Sequence, residues 1–157
     1  MTQLVPMTEE QFEQYLNYSI REYAEEHIKG GRWTAENAYE ESRKEYQKLL
    51  PEGVQSPDNY LYSIYDAQRG MHVGILWFAR VTWSAEPMAF VYDVKIDEAH
   101  RRHGYGSQAF QLMEEKVREL GLSSIGLHVF GHNKEAIQMY EKLGYVPTNI
   151  NMRKILA

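Results

Sequence analysis

Between residues 60 and 96 lie three runs rich in aromatic and β-branched side chains, Tyr60–Tyr65, Val73–Val81 and Met88–Ile96, parted only by the turn segments Asp66–Gly70 and Ser84–Pro87. Such spacing predicts three successive antiparallel strands, so the centre of the chain has to bury a sheet. The flanks read as what covers that sheet. Leu4, Val5 and Met7 suit a short first strand, and Thr8 with Gln11 three residues on makes a capping-box start for a helix running to about Ile28. Gly30 and Gly31 break it. A second acidic helix is expected from about Thr34 to Leu50, stopped by Pro51 and Gly53. After the sheet, Ala109, Phe110, Met113, Val117 and Leu120 fall at steps of three and four, an amphipathic helix that Gly121 ends. Ile125, Leu127 and Val129 then alternate as a strand. Glu135–Leu143 returns to helical spacing before Gly144, and Tyr145–Ile155 is expected to supply a last strand or two. The order describes an α/β fold with a mixed, mostly antiparallel sheet flanked by helices.

Composition narrows the function. A length of 157 residues with 43% hydrophobic content leaves room for one domain, expected to span 1–157. The chain has no cysteine, which excludes disulfides, thiolate metal sites and a cysteine nucleophile, and suits a reducing cytoplasm. A net charge of -5 with no offsetting basic block argues against a nucleic-acid partner. The apolar stretch Ile75–Ala79 is far short of the ~20 residues of a membrane helix. Met1–Thr8 has neither the basic region nor the apolar core of a signal peptide.

The densest basic cluster of this acidic chain, Arg101, Arg102 and His103, sits in a loop between a predicted strand and a predicted helix and runs into Gly104-Tyr105-Gly106. That junction suits an anion. Glycine lets backbone approach a ligand closely, and the unpaired amides of a helix start, at the positive end of its dipole, favour phosphate. Gly104, Gly106 and Ala109 also satisfy the G-x-G-x-x-A form of the dinucleotide-binding fingerprint. Against that reading, Asp97–His103 intervene between strand and first glycine, and Leu127–Phe130 carries no acid to hold a ribose.

Arg101-x-x-Gly104-x-Gly106 resembles the acyl-CoA signature of the GCN5-related N-acetyltransferases (GNAT), and Asn133-x-x-Ala136-x-x-x-Tyr140-x-x-x-Gly144-Tyr145 resembles that family's second motif. In the second motif Tyr145 replaces the usual phenylalanine. Leu127–Asn133 is similar to acetyltransferases of bacilli. The resemblance is detailed from about Tyr60 to Tyr145 and looser over the N-terminal helices. It implies a splayed strand pair holding acyl-CoA, with the backbone of Val94 and Ile96 on the pantetheine arm. It further implies that amides from about Arg102 to Ser107, Tyr105 included, hold the pyrophosphate, that Asn133, in the motif with Ala136, steadies the pantetheine, and that Tyr140 lies near the thioester sulfur. The implied activity is transfer of acetyl from acetyl-CoA to a primary amine of a small molecule, polyamine, protein or peptide, by direct attack through a tetrahedral intermediate. A CoA-binding sensor without turnover is the alternative, and a dinucleotide-binding module ranks last.

An amine of pKa near 10.4 is neutral in roughly one molecule of a few thousand at pH 7, so the reaction needs a proton acceptor. Asp93, beside the expected bulge, and Glu86, just before the same strand, are the candidate bases; His128 is held in reserve. Tyr140 is the candidate acid for the leaving thiolate. No metal site is expected, because His100 with His103 and His128 with His132 are isolated pairs. The acids of the first two helices read as solvated faces. Tyr15, Tyr18, Tyr23, Trp33 and Tyr39 among them suit either an acceptor pocket or core packing, and the aromatic content allows a homodimer without demanding one.

Overall fold

The computed structural model describes residues 1–83 and 85–157; Ser84, the first residue of the second expected turn, lies outside them. The described residues form two compact units, Met1–Leu127 and His128–Ala157.

In the first unit β1 (Thr2–Pro6), β2 (Asn59–Asp66), β3 (Met71–Val81), β4 (Met88–Ile96) and β5 (Ile125–Leu127) make one sheet in that order. All neighbours are antiparallel except β4 and β5, which run parallel. Helix α1 (Glu9–Lys29) starts as its sequence dictates. The Thr8 side chain accepts from the Gln11 amide at 3.1 Å, and the Gln11 side chain accepts from the Thr8 amide at 3.0 Å. Helix α2 (Ala38–Leu49) begins later than expected, because the Asn37 side chain folds back to accept from the Thr34 amide and hydroxyl and holds 34–37 as a turn.

Strand alternation sends Leu61 and Trp77 to the face covered by α1 and α2, where Met7, Phe12, Tyr15, Ile20, Tyr46 and Leu50 bury against them. The Ser42 hydroxyl, fully buried, donates to the Ile20 carbonyl at 2.7 Å and joins the two helices. Ser42→Ala should therefore cost about 1 kcal/mol. A urea midpoint equal to that of the wild type would show that this bond contributes nothing. Helix α3 (Tyr105–Glu119) packs on β1 and β4 through a face of Ala109, Phe110, Met113 and Val117, all buried. No helix among the described residues is long and apolar enough to cross a membrane.

Two further expectations fail. Strand β5 stops at Leu127, short of Val129, because its pairing with β4 ends at Val91↔Leu127, where β4 bulges. In the second unit α4 (Lys134–Lys142) forms as expected, but the segment after Tyr145 carries no strand. Alternating apolar residues specify a strand only where an edge receives them. Here Val146, Ile150, Met152 and Ile155 are exposed and Pro147 withholds an amide.

Candidate active site

Strand β4 is irregular in its middle. Phe78 pairs with Val91 but Trp77 pairs with Asp93, so Tyr92 has no counterpart on β3. Beyond this bulge residues 92–96 keep β3 on one side and have left β5 on the other. Val94 and Ile96 lie in that half-paired stretch, in register with Leu76 and Gly74.

Next comes a short 3-10 turn, Glu98–His100, pinned by the Asp97 amide on the Val73 carbonyl at 2.8 Å. The Arg101 guanidinium turns back, its Nε donating to the Ile96 carbonyl at 3.0 Å. This contact spends one donor of an expected cofactor residue on closing the strand end. Arg102 (φ 67°) and Gly104 (φ 81°) both take the left-handed conformation, which is costly at an arginine and costless at glycine. Gly104 is the N-cap of α3 and makes no side-chain capping bond, so among the described residues no N-cap side chain takes up the first-turn amides of Tyr105, Gly106 and Ser107. His103 lines a groove of about 560 Å³ with Thr2, Arg69 and Gln108. Tyr105 lines the same groove, its ring centroid 6.1 Å from that of His103. Its hydroxyl donates to Asp66 at 2.5 Å, and this bond, more than any other contact, holds the Asp66 carboxyl below its ordinary range. Asp66 also accepts from the Gln68 and Arg69 amides, so Tyr105 ties the start of α3 to the β2–β3 turn.

Asp93 stands next to the unmatched Tyr92, and α1 reaches it directly. The Tyr15 hydroxyl donates to Asp93 Oδ2 at 2.7 Å. Burial pushes the Asp93 carboxyl above its usual value; Tyr15, Lys95 and the Val94 amide favour its charged form and oppose that rise, while Glu22 reinforces it. Burial likewise lifts Tyr15 well above the ordinary phenol range, so it stays a proton donor. Lys95 pairs with Glu22 at 2.5 Å and with the Tyr18 hydroxyl at 2.6 Å. Partial burial works against its charge, but these partners win and raise its pKa. Glu86, the other candidate base, is exposed in the β3–β4 connection. The acids of the first two helices divide accordingly. Glu40 and Glu41 pair one turn away with Arg43 and Lys44 on an exposed face, whereas Glu22 belongs to the cluster around Asp93.

Sequence reasoning singled out Tyr15 as one aromatic among several and missed its bond to Asp93, as it missed the Lys95–Glu22–Tyr18 cluster. No local pattern announces a pair 78 residues apart. Tyr23 and Trp33 pack edge-on against each other, with ring centroids 5.8 Å apart.

In the second unit Asn133 caps α4, its side-chain oxygen accepting from the Ala136 amide at 3.2 Å. Tyr140 lies within α4, its ring edge-on to Tyr145 at 5.9 Å. His128 falls outside any strand and packs edge-on against Phe130 at 5.0 Å, and His132 stacks on the same ring at 5.5 Å.

Residues 11–145 match the model of the acetyltransferase (GNAT) family. The chain belongs to that family. It is 39% identical over 154 residues to YdgE of Bacillus subtilis, described as an uncharacterised N-acetyltransferase, with 98% of each chain covered. The crystal structure of a second acetyltransferase of that organism, YycN, superposes with a TM-score of 0.91 at 35% identity, covering 100% of this chain and 99% of the other. An acetyltransferase fold from Pyrococcus furiosus, 22% identical with a TM-score of 0.72 over 99% of this chain and 100% of that one, shares the architecture. This acetyltransferase is accordingly an acyltransferase that uses acetyl-CoA as its cosubstrate.

Proposed function

We propose that this acetyltransferase passes acetyl from acetyl-CoA directly to a primary amine, with Asp93 taking the proton of the amine and Tyr140 supplying one to the leaving thiolate, and that residues 1–157 act as one catalytic domain. Acetyl-CoA brings an activated acyl thioester; the protein has to bind it, deprotonate the acceptor and keep the reacting groups in place. The observation that carries the reading is a half-buried carboxylate bonded to the Tyr15 hydroxyl, its pKa raised by desolvation, beside the bulge at which β4 leaves β5. A base is most useful when its pKa approaches working pH, and Asp93 moves in that direction.

The loop supports cosubstrate binding. Left-handed Gly104, the first turn of α3 through Ser107 with no side-chain cap, the cationic side chains of Arg101 and Arg102 and the imidazole of His103 meet the needs of a pyrophosphate. The main chain of Val94 and Ile96, in the stretch that β5 has left, suits the amide-rich pantetheine arm. The roles of Asn133, Ala136 and Tyr140 rest on the motif they form, and the capping bond of Asn133 leaves its side-chain NH₂ available to the pantetheine.

Calorimetric titration with acetyl-CoA, CoA and NAD tests the reading on the wild type and on Gly104→Asp, which puts a carboxylate and a disfavoured φ where the pyrophosphate would sit. The expected result is selective binding of the two CoA ligands, weakened at least about tenfold by the substitution, each tenfold loss being 1.4 kcal/mol. Absence of CoA binding in folded protein would overturn the site. Thiol release from acetyl-CoA in the presence of spermidine, Nα-acetyl-lysine or phenethylamine then separates an enzyme from a binder that does not turn over.

A further inference from the structure

We propose that Tyr15 of α1 is a positioning residue for acetyl transfer, its phenol holding Asp93 Oδ2 so that Oδ1 faces the acceptor amine. The inference deepens the reading of Asp93 as the base and rests on it. Tyr15 is only 7% exposed, in a cluster of Met7, Phe12, Ile20, Leu61 and Trp77 where phenylalanine would pack as well. Burying a hydroxyl there is costly unless it finds a partner, and the partner it finds is the Asp93 carboxylate at 2.7 Å. That bond ties α1 to the strand carrying the bulge and occupies one carboxylate oxygen. A carboxylate free to rotate would present its basic oxygen to the amine in only part of its conformations.

The groups facing Asp93 are Tyr15 and Glu22 from α1, Tyr46 from α2, and Lys95 on its own strand. Among the groups that favour the charged form, Tyr15 contributes most. Without its hydroxyl the carboxyl should become harder to ionise. Both consequences, looser orientation and a higher pKa, lower the rate at neutral pH, whereas a purely structural phenol would alter stability alone.

The test compares the wild type, Tyr15→Phe and Asp93→Asn. It uses the best acceptor of the three amines named above for kcat, KM and pH profiles, and carbon-13 NMR of labelled aspartate for the titration of Asp93. Tyr15→Phe is expected to bind acetyl-CoA normally, to lose about tenfold or more in kcat at pH 7, and to shift both the acid limb of the profile and the Asp93 titration to higher pH. An Asp93 titration unmoved by Tyr15→Phe, or a wild-type kcat and acid limb in Tyr15→Phe beside an inactive Asp93→Asn, overturns the proposal. Full activity in Asp93→Asn instead overturns the base assignment beneath it, whatever the NMR titration shows.

Discussion

Gly74→Ala is expected to lower stability by about 3 kcal/mol or more, equivalent to a fall in Tm of about 6–12 °C for a chain of this size. Gly74 is buried on β3 opposite Ile96. A Cβ there would fall 3.0 Å from the Ile96 Cα and closer still to the Lys95 carbonyl oxygen, and both obstacles are backbone. Relief requires β4 to move away from β3 at residues 95–96, beside the segment proposed to hold the pantetheine arm. Acetyl-CoA affinity should therefore fall along with Tm. Gly126→Ala provides the control, because its nearest obstacle is the terminal methyl of Met88, the far end of a flexible side chain. Thermal melts should rank Gly74→Ala well below Gly126→Ala. A Gly74→Ala protein melting within about 2 °C of the wild type would mean that the two strands are not held this closely.

Asp93→Asn should separate activity from stability. Loss of a general base typically costs 10²–10⁴ in rate, and turnover at pH 7–8 should drop by about that factor. Asparagine has nearly the same shape, and its side-chain oxygen still accepts from Tyr15, while the partly desolvated charge is gone. Because burial raises the Asp93 pKa above its ordinary 3.8, the unfolded chain gives up this proton at lower pH than the folded protein does. Over that interval the folded state binds more protons, so the stability associated with Asp93 declines as pH rises from about 3.8 through the raised value. Asp93→Asn should thus melt higher than the wild type at pH 8 and lose this advantage near pH 3. Retention of more than about a tenth of the turnover would remove Asp93 from catalysis. A lower Tm at pH 8 would contradict the cost of desolvating its charge.

These two residues also mark where legibility in the sequence ends. The capping box at Thr8 and Gln11, the strand runs of β2 to β4, the amphipathic face of α3 and the glycine loop before it were all readable, because each is decided by residues a few positions apart. The family followed from two short motifs whose spacing the chain preserves. Reading failed where a partner from elsewhere is needed. Tyr145–Ile155 alternates like a strand yet forms none, and Val129 continues the alternation of β5 after the strand has ended.

Within the candidate site the same division holds. Asp93 and Glu86 were equivalent as sequence, two carboxylates near the start and middle of one strand. Burial and the Tyr15 hydroxyl distinguish them, and both arise only when α1 lies across the sheet. Gly74 looked like any glycine in a strand until β4 came up against it. The sequence by itself determined the elements, their order and the anion-suited loop, since hydrogen-bonding propensity and hydrophobic period act between near neighbours. Tertiary structure alone decided which carboxylate is desolvated, which hydroxyl holds it and where β4 parts from β5, because desolvation and strand pairing depend on groups brought together from distant parts of the chain.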